Sequence, residues 1–492
     1  MATPRTLNPP AAAATTTATA ARPAASARPG LVHHLFFVLA ACAVLMGSID
    51  STIVAVAIPQ LTTAFNAPLS WVAWTLTVYQ LVQVVMLPLA GKLSDTFGRK
   101  SIFLLCVGLF TLGSLLCGLS SSIWLLVAAR ALQAVGGGGL VPSAIGVIAD
   151  HYRARRAQAV GLFTSIFPIG GIVGPNLGGF ILEHWSWREM FFVNVPIGVI
   201  VLVGVALLLK PTGQRKARRI DLIGLAMYAG AIVILLATMT AAADDPTLWS
   251  SPLPWCAVAA SIVLFGVFLW HIRHTDDPVM EYRLVAHQPF LAANLYNLLF
   301  GAAAFGFFSF IPTYAVYRFG FSPLLSGTVL TPRAVAMIVS SVLASLYVIR
   351  LGYRLPMLVG MGLVALTLVL LGTGWTGVSL GPLRLEGFWF LAVVVSFSGV
   401  GMGLSNPASS NAALDLAPDK AAVLTGIRSM FRMTGGMLSI AGVVLGLTFF
   451  PDAGQGLAVI FGILSLSLLA AVPLVFTIPD TARARSAARE HQ

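Results

Sequence analysis

The stretch MGSIDSTIVAVAIP, residues 46–59, places a single carboxylate, Asp50, inside a long apolar segment that begins near Leu35. A charged side chain is costly inside a bilayer and is therefore rare there. Crossing a bilayer core about 30 Å thick takes about 20 apolar residues, and runs of that length recur from this segment to Ile478. The stretch therefore predicts the first of many membrane-spanning helices, with an acid inside it that needs an explanation.

The composition supports this interpretation for the whole chain. The 492 residues are 58% hydrophobic and only 9% charged, whereas soluble proteins carry about 25% charged residues. Only helices and closed barrels satisfy their backbone polar groups in lipid, and barrel strands would alternate apolar and polar residues, which these runs do not. We therefore predict an all-α polytopic membrane protein.

We predict fourteen membrane-spanning helices, called spans 1 to 14. They cover residues 34–60, 70–90, 101–119, 122–149, 156–182, 189–209, 220–242, 253–273, 289–316, 323–349, 355–375, 386–413, 422–449 and 456–478. An even number places both termini on one side, and the loops on that side hold most of the Lys and Arg. Basic residues favour the cytoplasmic side, so both termini are predicted to be cytoplasmic. This asymmetry accounts for the net charge of +12 without a nucleic-acid partner.

A faint internal repeat divides the chain. The connection after span 2, GKLSDTFGRK (residues 91–100), is matched after span 10 by SLYVIRLGYR (residues 345–354). The aligned pairs are Gly98 with Gly352, Lys100 with Arg354, and Asp95 with Ile349. Secondary transporters are commonly built from such repeats, with the substrate site between them near the midplane of the membrane.

The repeat predicts two six-helix bundles, with spans 7 and 8 as an inserted pair. The predicted divisions are a disordered cytoplasmic tail (1–33), an N-terminal bundle (34–210), the inserted pair with a polar linker (211–284), a C-terminal bundle (285–480) and a cytoplasmic tail (481–492).

The connection after span 2 is predicted to be a gating loop formed by Gly91, Asp95, Gly98, Arg99 and Lys100. The glycines permit close approach and a tight turn. The acid can cap a helix start or pair with a following base. A plain basic topology loop would not need this spacing. The stretch resembles the hallmark loop of the major facilitator superfamily, and the resemblance implies that fold and a role for Asp95 in a charge relay that gates the cytoplasmic side.

Span 5 carries a string of small residues. Its members are Gly161, Gly170, Gly174, Pro175, Gly178 and Gly179. Such spacing lets backbones touch in lipid, and the proline is expected to bend the helix. Simple glycine-rich packing is the alternative. The full string resembles the motif of proton-coupled antiporters in the same superfamily, which implies export rather than import.

Arg130, in the span 4 stretch ARALQAVGGGG (residues 129–139), is the predicted partner of Asp50. Arg130 lies about 12 Å from the outer end of span 4, and Asp50 about 22 Å from the inner end of span 1, at 1.5 Å per residue. Both therefore fall in the outer half of the membrane, at depths that permit a pair. Burial favours the protonated form of Asp50, and a nearby arginine favours the ionised form; such a balance suits a proton carrier. A purely structural ion pair is the alternative.

Three stretches are similar to the fourteen-helix drug:proton antiporter branch of that superfamily. They are DSTIVAVAIP (residues 50–59), with Ala55 where the branch usually has Asn, Trp187-Arg188, and Asn194 to Gly198. The span 4 stretch also resembles a superfamily motif in which the arginine takes part in proton transfer. The resemblance implies proton coupling through Asp50 and Arg130.

Three further arginines are predicted to lie deep in the membrane: Arg333 in span 10, and Arg428 and Arg432 in span 13. We consider them candidate pocket residues; the alternative is that they bind backbone carbonyls or lipid headgroups. Because Asp50 is the one clear acid at depth, multivalent cations are disfavoured as substrates. Lipophilic monocations, neutral compounds and lipid-like anions remain open.

The sequence thus predicts a proton-coupled antiporter of the bacterial cell membrane that exports lipophilic compounds by alternating access. Its partners would be a small lipophilic substrate, protons and membrane lipids, it would act as a monomer, and the proton gradient would replace any cofactor. An exporter of lipids or metabolites on the same scaffold and a non-transporting membrane sensor are the alternatives. An enzyme is disfavoured because the chain contains no HExxH motif and no phosphate-loop motif.

Overall fold

A computed structural model of the protein describes residues 31–152, 156–209, 220–380, 383–417 and 420–480. Within these ranges, fourteen helical stretches are long and apolar enough to cross a membrane, which confirms the predicted spans. The predicted tails lie outside the described residues, except that residues 31–33 are helical and begin span 1. The first and last described residues lie at one end of the bundle, here called the terminal end; the opposite end is called the far end.

The α-helices of the described chain have the following bounds: α1 Leu31–Phe65, α2 Leu69–Phe97, α3 Arg99–Gly118, α4 Ile123–His151, α5 Arg156–Thr164, α6 Ile166–His184, α7 Glu189–Phe192, α8 Asn194–Leu208, α9 Leu222–Asp244, α10 Pro252–His274, α11 Tyr282–Val285, α12 Gln288–Gly301, α13 Phe307–Phe319, α14 Pro323–Thr328, α15 Thr331–Leu351, α16 Arg354–Gly372, α17 Gly387–Asp415, α18 Ala421–Leu447, α19 Ala453–Leu469 and α20 Val472–Thr477. A 3-10 helix covers Pro246–Ser250 and a π-helical turn covers Ala302–Gly306.

The helices combine into spans in chain order. Spans 1 to 4 are α1 to α4, span 5 is α5 with α6, span 6 is α7 with α8, spans 7 and 8 are α9 and α10, span 9 is α12 with the π-helical turn and α13, span 10 is α14 with α15, spans 11 to 13 are α16 to α18, and span 14 is α19 with α20. The structure therefore keeps every predicted span and moves only the ends.

Span 5 is interrupted at Ser165, ten residues before Pro175. Pro168 explains this position, because it has no N–H to donate to the Thr164 carbonyl and its ring crowds that carbonyl. Pro175, where the sequence predicts a bend, lies inside the continuous helix α6.

A β-hairpin joins spans 11 and 12, which the sequence does not predict. Strands β1 (Gly377–Leu380) and β2 (Leu383–Glu386) pair antiparallel. Gly374 and Gly387 bound the hairpin with positive φ angles of 69° and 53°, a region that favours glycine. The hairpin lies at the far end, outside the spans.

The predicted repeat is visible at the terminal end. Gly98 and Gly352 both have positive φ angles, 93° and 75°, and each breaks the chain between two spans. The basic residue two positions later donates to carbonyls at the end of another span, Lys100 to span 6 and Arg354 to span 14. The accepting carbonyls are those of Ala206 and Leu209 for Lys100, and of Phe476 and Ile478 for Arg354. The two halves thus anchor their last helices in the same way.

The inserted span 7 packs against span 2 of the first half and span 13 of the second. Trp74 Nε1 donates to Thr240 Oγ1 at 2.8 Å, and Tyr228 shares a hydrogen bond with Thr434. Apolar residues of spans 2, 7, 8 and 13 form one buried cluster around these contacts. Span 7 therefore lies across the boundary between the two halves.

The connection after span 8 is tied to both halves at the terminal end. Lys92 of span 2 pairs with Asp277 at 3.2 Å, and Lys420, before span 13, pairs with Glu281. Asp221, which caps the start of span 7, accepts a hydrogen bond from the His271 imidazole at 2.8 Å.

At the far end, spans 5 and 10 make direct contact. The Glu183 carboxylate accepts hydrogen bonds from the Ser322 hydroxyl at 3.0 Å and from the Leu324 backbone N–H at 3.1 Å. Seven residues away, about two turns deeper, Asn176 Nδ2 donates to Thr331 Oγ1 at 2.7 Å. The two halves are therefore held together at this end by hydrogen bonds as well as by packing.

Candidate functional site

Asp50 lies in the middle of span 1 and is completely buried. Its Oδ2 accepts a hydrogen bond from Arg130 Nη1 at 2.6 Å. Its Oδ1 accepts one from Gln133 Nε2 at 2.8 Å and one from Asn194 Nδ2 at 3.2 Å. The structure thus brings together Asp50 and Arg130, the two residues whose depths permit a pair, and adds two amide side chains that complete the shell of the carboxylate.

Arg130 is also held on its other sides. Its Nε donates to the Thr75 backbone carbonyl at 3.1 Å, and its Nη1 is 2.6 Å from Gln133 Oε1. The Tyr79 ring lies 4.1 Å from the guanidinium carbon, a distance that suits a cation–π interaction. Only 1% of Arg130 is exposed. Four spans of the first half, 1, 2, 4 and 6, therefore meet at one ion pair.

Sequence reasoning missed three members of this site. Gln133 lies three residues after Arg130 and so shares its helix face, a signal that the sequence carries; its Nε2 also donates to Ser114 Oγ at 2.7 Å. Asn194 begins α8, inside one of the stretches similar to the drug:proton antiporters. Thr75 contributes a backbone carbonyl, for which no side-chain pattern exists.

Protonation of Asp50 would change the charge balance of this site. With the carboxyl ionised, the negative and positive charges of Asp50 and Arg130 balance within a site closed to water. A proton added to Asp50 would remove the charge opposite Arg130 and leave a buried guanidinium with neutral acceptors only. A buried charge without its partner is strongly unfavourable, so protonation of this one carboxyl would favour a rearrangement of the helices that hold the pair.

The predicted gating loop is mostly helical, so the prediction of a loop is wrong. Gly91 to Phe97 continue helix α2, and only Gly98 leaves helical geometry before α3 begins at Arg99. Asp95 therefore lies in the last turns of a helix and does not cap the start of one. An added Cβ at Gly91 would meet nothing within 4 Å, so this glycine makes no close approach. Polar residues can prolong a spanning helix beyond the apolar layer, which is why the hydropathy pattern ends too early.

The charged residues of this turn do connect neighbouring spans. Asp95 Oδ1 lies 3.4 Å from Arg99 Nη2. Arg99 also donates to the Gly146 carbonyl of span 4, and Lys100 reaches the end of span 6. Spans 2, 3, 4 and 6 are thus joined at the terminal end by charged residues of the predicted gating loop.

The glycine string of span 5 lies against span 1, close to Asp50. An added Cβ at Gly170 would collide with Ser48, and one at Gly174 would collide with the Thr52 side chain and approach the Ile49 carbonyl to 2.9 Å. The Thr52 hydroxyl donates to the Gly170 carbonyl at 3.2 Å. The backbones of the two spans therefore touch, one turn from the ion pair.

The remaining glycines of the string differ from one another. Gly178 also faces span 1, where an added Cβ would approach Ile53 Cγ1 to 2.8 Å. Gly179 faces span 10 instead, where an added Cβ would lie 2.6 Å from the Pro323 carbonyl oxygen. At Gly161 an added Cβ would meet nothing within 4 Å, so this glycine is not part of the close packing.

The candidate pocket arginines lie in the second half, away from Asp50. Arg333 and Arg428 are buried and Arg432 is partly buried. All three donate to residues of span 12. Arg428 donates to the Asn406 backbone carbonyl at 3.2 Å, as the alternative reading of these arginines expects.

Comparison with known proteins assigns the family. A family model described as Major Facilitator Superfamily matches residues 40–372. The chain belongs to the major facilitator superfamily. The predicted family and fold are thereby confirmed, and the chain is a membrane transporter rather than an enzyme.

Relatives of this transporter carry names that refer to drugs. It is 29% identical over 417 residues to the multidrug transporter protein MdtP of Bacillus subtilis, a match that covers 84% of this chain and 73% of MdtP. It is 29% identical over 417 residues to the tetracenomycin C resistance and export protein of Streptomyces glaucescens, covering 84% and 76%. It is 28% identical over 396 residues to the multidrug resistance protein Stp of Mycobacterium tuberculosis, covering 80% and 72%.

Solved structures agree on the fold. The nucleoside transporter NupG superposes with a TM-score of 0.65 at 11% identity, covering 90% of this chain and 99% of NupG. A POT family transporter in complex with 5-aminolevulinic acid gives a TM-score of 0.64 at 14% identity, covering 90% and 96%. At such identities the likeness concerns the fold alone.

Proposed function

We propose that this transporter exports lipophilic, drug-like compounds from the bacterial cell in exchange for protons. The names of its relatives, which include a multidrug transporter and a tetracenomycin C resistance and export protein, support the export of drugs. The observation that carries proton coupling is the buried pair of Asp50 with Arg130 at 2.6 Å. It is an acid that a single proton can neutralise, at a point where four spans meet.

Coupling would follow from the energetics of this pair. Removing one partner of a buried ion pair costs about 3–5 kcal/mol. Alternative conformations of a protein commonly differ by a few kcal/mol. One proton bound to Asp50 therefore changes the energy of this conformation enough to favour another, in which Arg130 finds different acceptors. Release of the proton on the opposite side would restore the pair.

Alternating access would proceed by movement of two bundles, residues 34–210 and 285–480. The hydrogen bonds of Glu183 with span 10 close the far end and would have to break before that end opens. The charged turn around Asp95 would control the terminal end. Because most of the Lys and Arg lie in loops of that end, we place it and both chain termini in the cytoplasm. No cofactor enters this cycle, and one protomer contains all of the groups it uses.

The test is proton movement caused by substrate. Protein is reconstituted into vesicles that enclose a pH-sensitive dye, and ethidium or a neutral lipophilic dye is added. The wild type should move protons on addition of the substrate, and Asp50→Asn should not. Asp276→Asn, which removes an exposed acid of the connection after span 8, is the matched control and should behave as wild type. Normal substrate-dependent proton movement in Asp50→Asn would rule out this carboxyl as the coupling group.

A further inference from the structure

One face of span 12 carries side chains that bind arginines from two other spans. The residues of this face are Ser398, Met402, Asn406 and Ser409, spaced by four, four and three positions. This spacing places them on one side of a helix, along about 16 Å at 1.5 Å per residue. We call these four residues the span 12 face.

Arg333 of span 10 contacts the part of the face that is nearer the far end. Its Nε donates to Ser398 Oγ at 3.1 Å, and its Nη2 lies 2.7 Å from Met402 Sδ. Its guanidinium carbon lies 4.2 Å from the centroid of the Phe308 ring of span 9. Only 5% of Arg333 is exposed, so the charge is enclosed by a hydroxyl, a thioether and a ring.

Two arginines of span 13 contact the part of the face that is nearer the terminal end. Arg428 Nη2 donates to Ser409 Oγ at 2.9 Å and to the Asn406 backbone carbonyl at 3.2 Å. Arg432, one turn away, donates through Nη1 to Asn406 Oδ1 at 3.4 Å. The Nε atoms of both arginines are buried and have no hydrogen-bond partner among the described residues.

The charge at this face is not balanced by the carboxylates of the described residues. Within the described residues, no carboxylate lies within salt-bridge distance of Arg333, Arg428 or Arg432. Arg130 of the first half, by contrast, is paired with Asp50. Charged groups buried in a membrane protein pair with one another or mark a substrate path. Three positive charges therefore lie against the span 12 face, and the Nε donors of Arg428 and Arg432 are left over for an anion.

The wall opposite this face is aromatic and partly accessible. Phe305 and Phe308 of span 9 are half-buried, although span 9 is more buried within the protein than any other described span. Phe305 lies in the π-helical turn Ala302–Gly306, a distortion frequent at functional sites, and its ring centroid lies 5.6 Å from the Arg432 guanidinium carbon. Arg333 and Arg432 thus each lie against an aromatic ring of span 9.

The first half of the molecule reaches the same place. Gln80 Oε1 of span 2 lies 3.2 Å from the position of an added Cβ on Gly436, and Phe305 Cβ lies 2.8 Å from that position. Gln80 Oε1 has no hydrogen-bond partner among the described residues. The wall therefore lies at the boundary between the halves, where movement of the bundles would open and close it.

We propose that the span 12 face, with Arg333, Arg428 and Arg432, binds the acidic group of an amphipathic anion, and that lipophilic carboxylates are substrates of this transporter. The guanidinium groups would bind the carboxylate, and Phe305 and Phe308 would contact its apolar body. The transport of lipophilic carboxylates rests on the proposed function. Their binding rests on the arginines alone. The phosphate of a resident anionic phospholipid offers the same chemistry and is the alternative that the test separates.

Binding is measured first, with purified protein in a nonionic detergent. The probes are pyrenebutyrate, its methyl ester and pyrenebutylamine, which share one apolar body and differ in charge. Pyrenebutyrate should bind roughly ten- to a hundredfold more tightly than the other two, the ratio expected of hydrogen bonds to a charged group. Equal affinities, or tighter binding of the amine, would overturn the proposal.

Variants locate the site. Arg333→Met and Arg432→Met should each remove most of the preference for pyrenebutyrate, and Arg432→Lys should keep part of it because it keeps the charge. Arg283→Met, which removes an exposed arginine, is the control and should keep the full preference. All variants are compared only as monodisperse protein. A preference that survives in both methionine variants would place the anion elsewhere and overturn the assignment.

Two further measurements distinguish a resident lipid from a transported substrate, and failure of this inference from failure of the proposed function. If native mass spectrometry finds a phospholipid that Arg432→Met loses, and pyrenebutyrate shows no preference, the anion is a resident lipid and the substrate assignment is wrong. In vesicles, proton-coupled export of the ester or the amine without export of pyrenebutyrate, measured above the leak of protein-free vesicles, would refute this inference and leave the proposed function intact. Arginine-dependent binding of pyrenebutyrate without transport of any probe would support the site and refute the exporter.

Discussion

Neutralising Asp50 and Arg130 together should be less damaging than neutralising either one alone. Asp50→Asn preserves the shape of the side chain but leaves Arg130, only 1% exposed, without a counter-charge. Arg130→Met leaves the fully buried carboxylate in the same position. Each single change should cost about 3–5 kcal/mol, as breaking buried pairs does. The double variant buries no charge at this site, and replacing both partners of a buried pair is often close to neutral, so it should be about 3 kcal/mol more stable than either single variant.

The assay is a double-mutant cycle on thermal stability in one detergent, with transport measured in parallel. The expected order of melting temperature is wild type, then the double variant, then both single variants, with proton coupling absent from all three variants. The same cycle on Lys92 and Asp277, an ion pair exposed by 22% and 48%, is the control and should show a coupling of about 0–1 kcal/mol. If the double variant loses the sum of the single losses, Asp50 and Arg130 are not energetically coupled, and the coupling mechanism built on their pair is wrong.

Three further predictions concern other parts of the molecule. Gly174→Leu should abolish stable folding or transport, since spans 1 and 5 touch there, whereas Gly161→Leu, at a site with no close neighbour for an added Cβ, should be neutral; equal effects would refute the contact. Gly98→Ala, at φ and ψ angles of 93° and 136°, should cost about 1–3 kcal/mol through backbone strain, and Gly91→Ala should not lower the melting temperature. Burial raises the pKa of Asp221, but hydrogen bonds from an imidazole and two backbone N–H groups outweigh this and bring the pKa below its ordinary value of 3.8. The ionised carboxyl therefore stabilises the fold above about pH 4 and loses this effect as the pH falls through the lowered pKa, so the gap in melting temperature between wild type and Asp221→Asn should narrow below pH 4; a gap independent of pH would refute it.

Hydropathy and helix geometry predict most of this fold because the bilayer imposes both. A run of apolar residues has one stable conformation in lipid, so the fourteen spans can be counted from the sequence. A rise of 1.5 Å per residue converts position along a helix into depth. For this reason the shared depth of Asp50 and Arg130 can be inferred before any contact is known.

Other features depend on contacts that no one-dimensional pattern contains. The carbonyl that Thr75 offers to Arg130 has no side-chain signature, and Gln133 differs in no local property from an amide that faces elsewhere. The helical turns after Gly91 could not be predicted from hydropathy, because charged residues occur both in loops and in helix ends that leave the membrane. The hairpin between spans 11 and 12 depends on the pairing of β1 with β2, which the residues of either strand alone do not specify.

The contact between spans 1 and 5 also bears on how such a transporter diversifies. An added Cβ at Gly174 would approach the Ile49 backbone carbonyl to 2.9 Å as well as the Thr52 side chain, so a smaller residue at position 52 would relieve only part of the clash. The span 12 face is built from side chains, and each can be exchanged singly. In a randomised library selected for export of a new compound, we therefore expect accepted changes to accumulate around the arginines of the second half, while the glycines that face span 1 stay invariant.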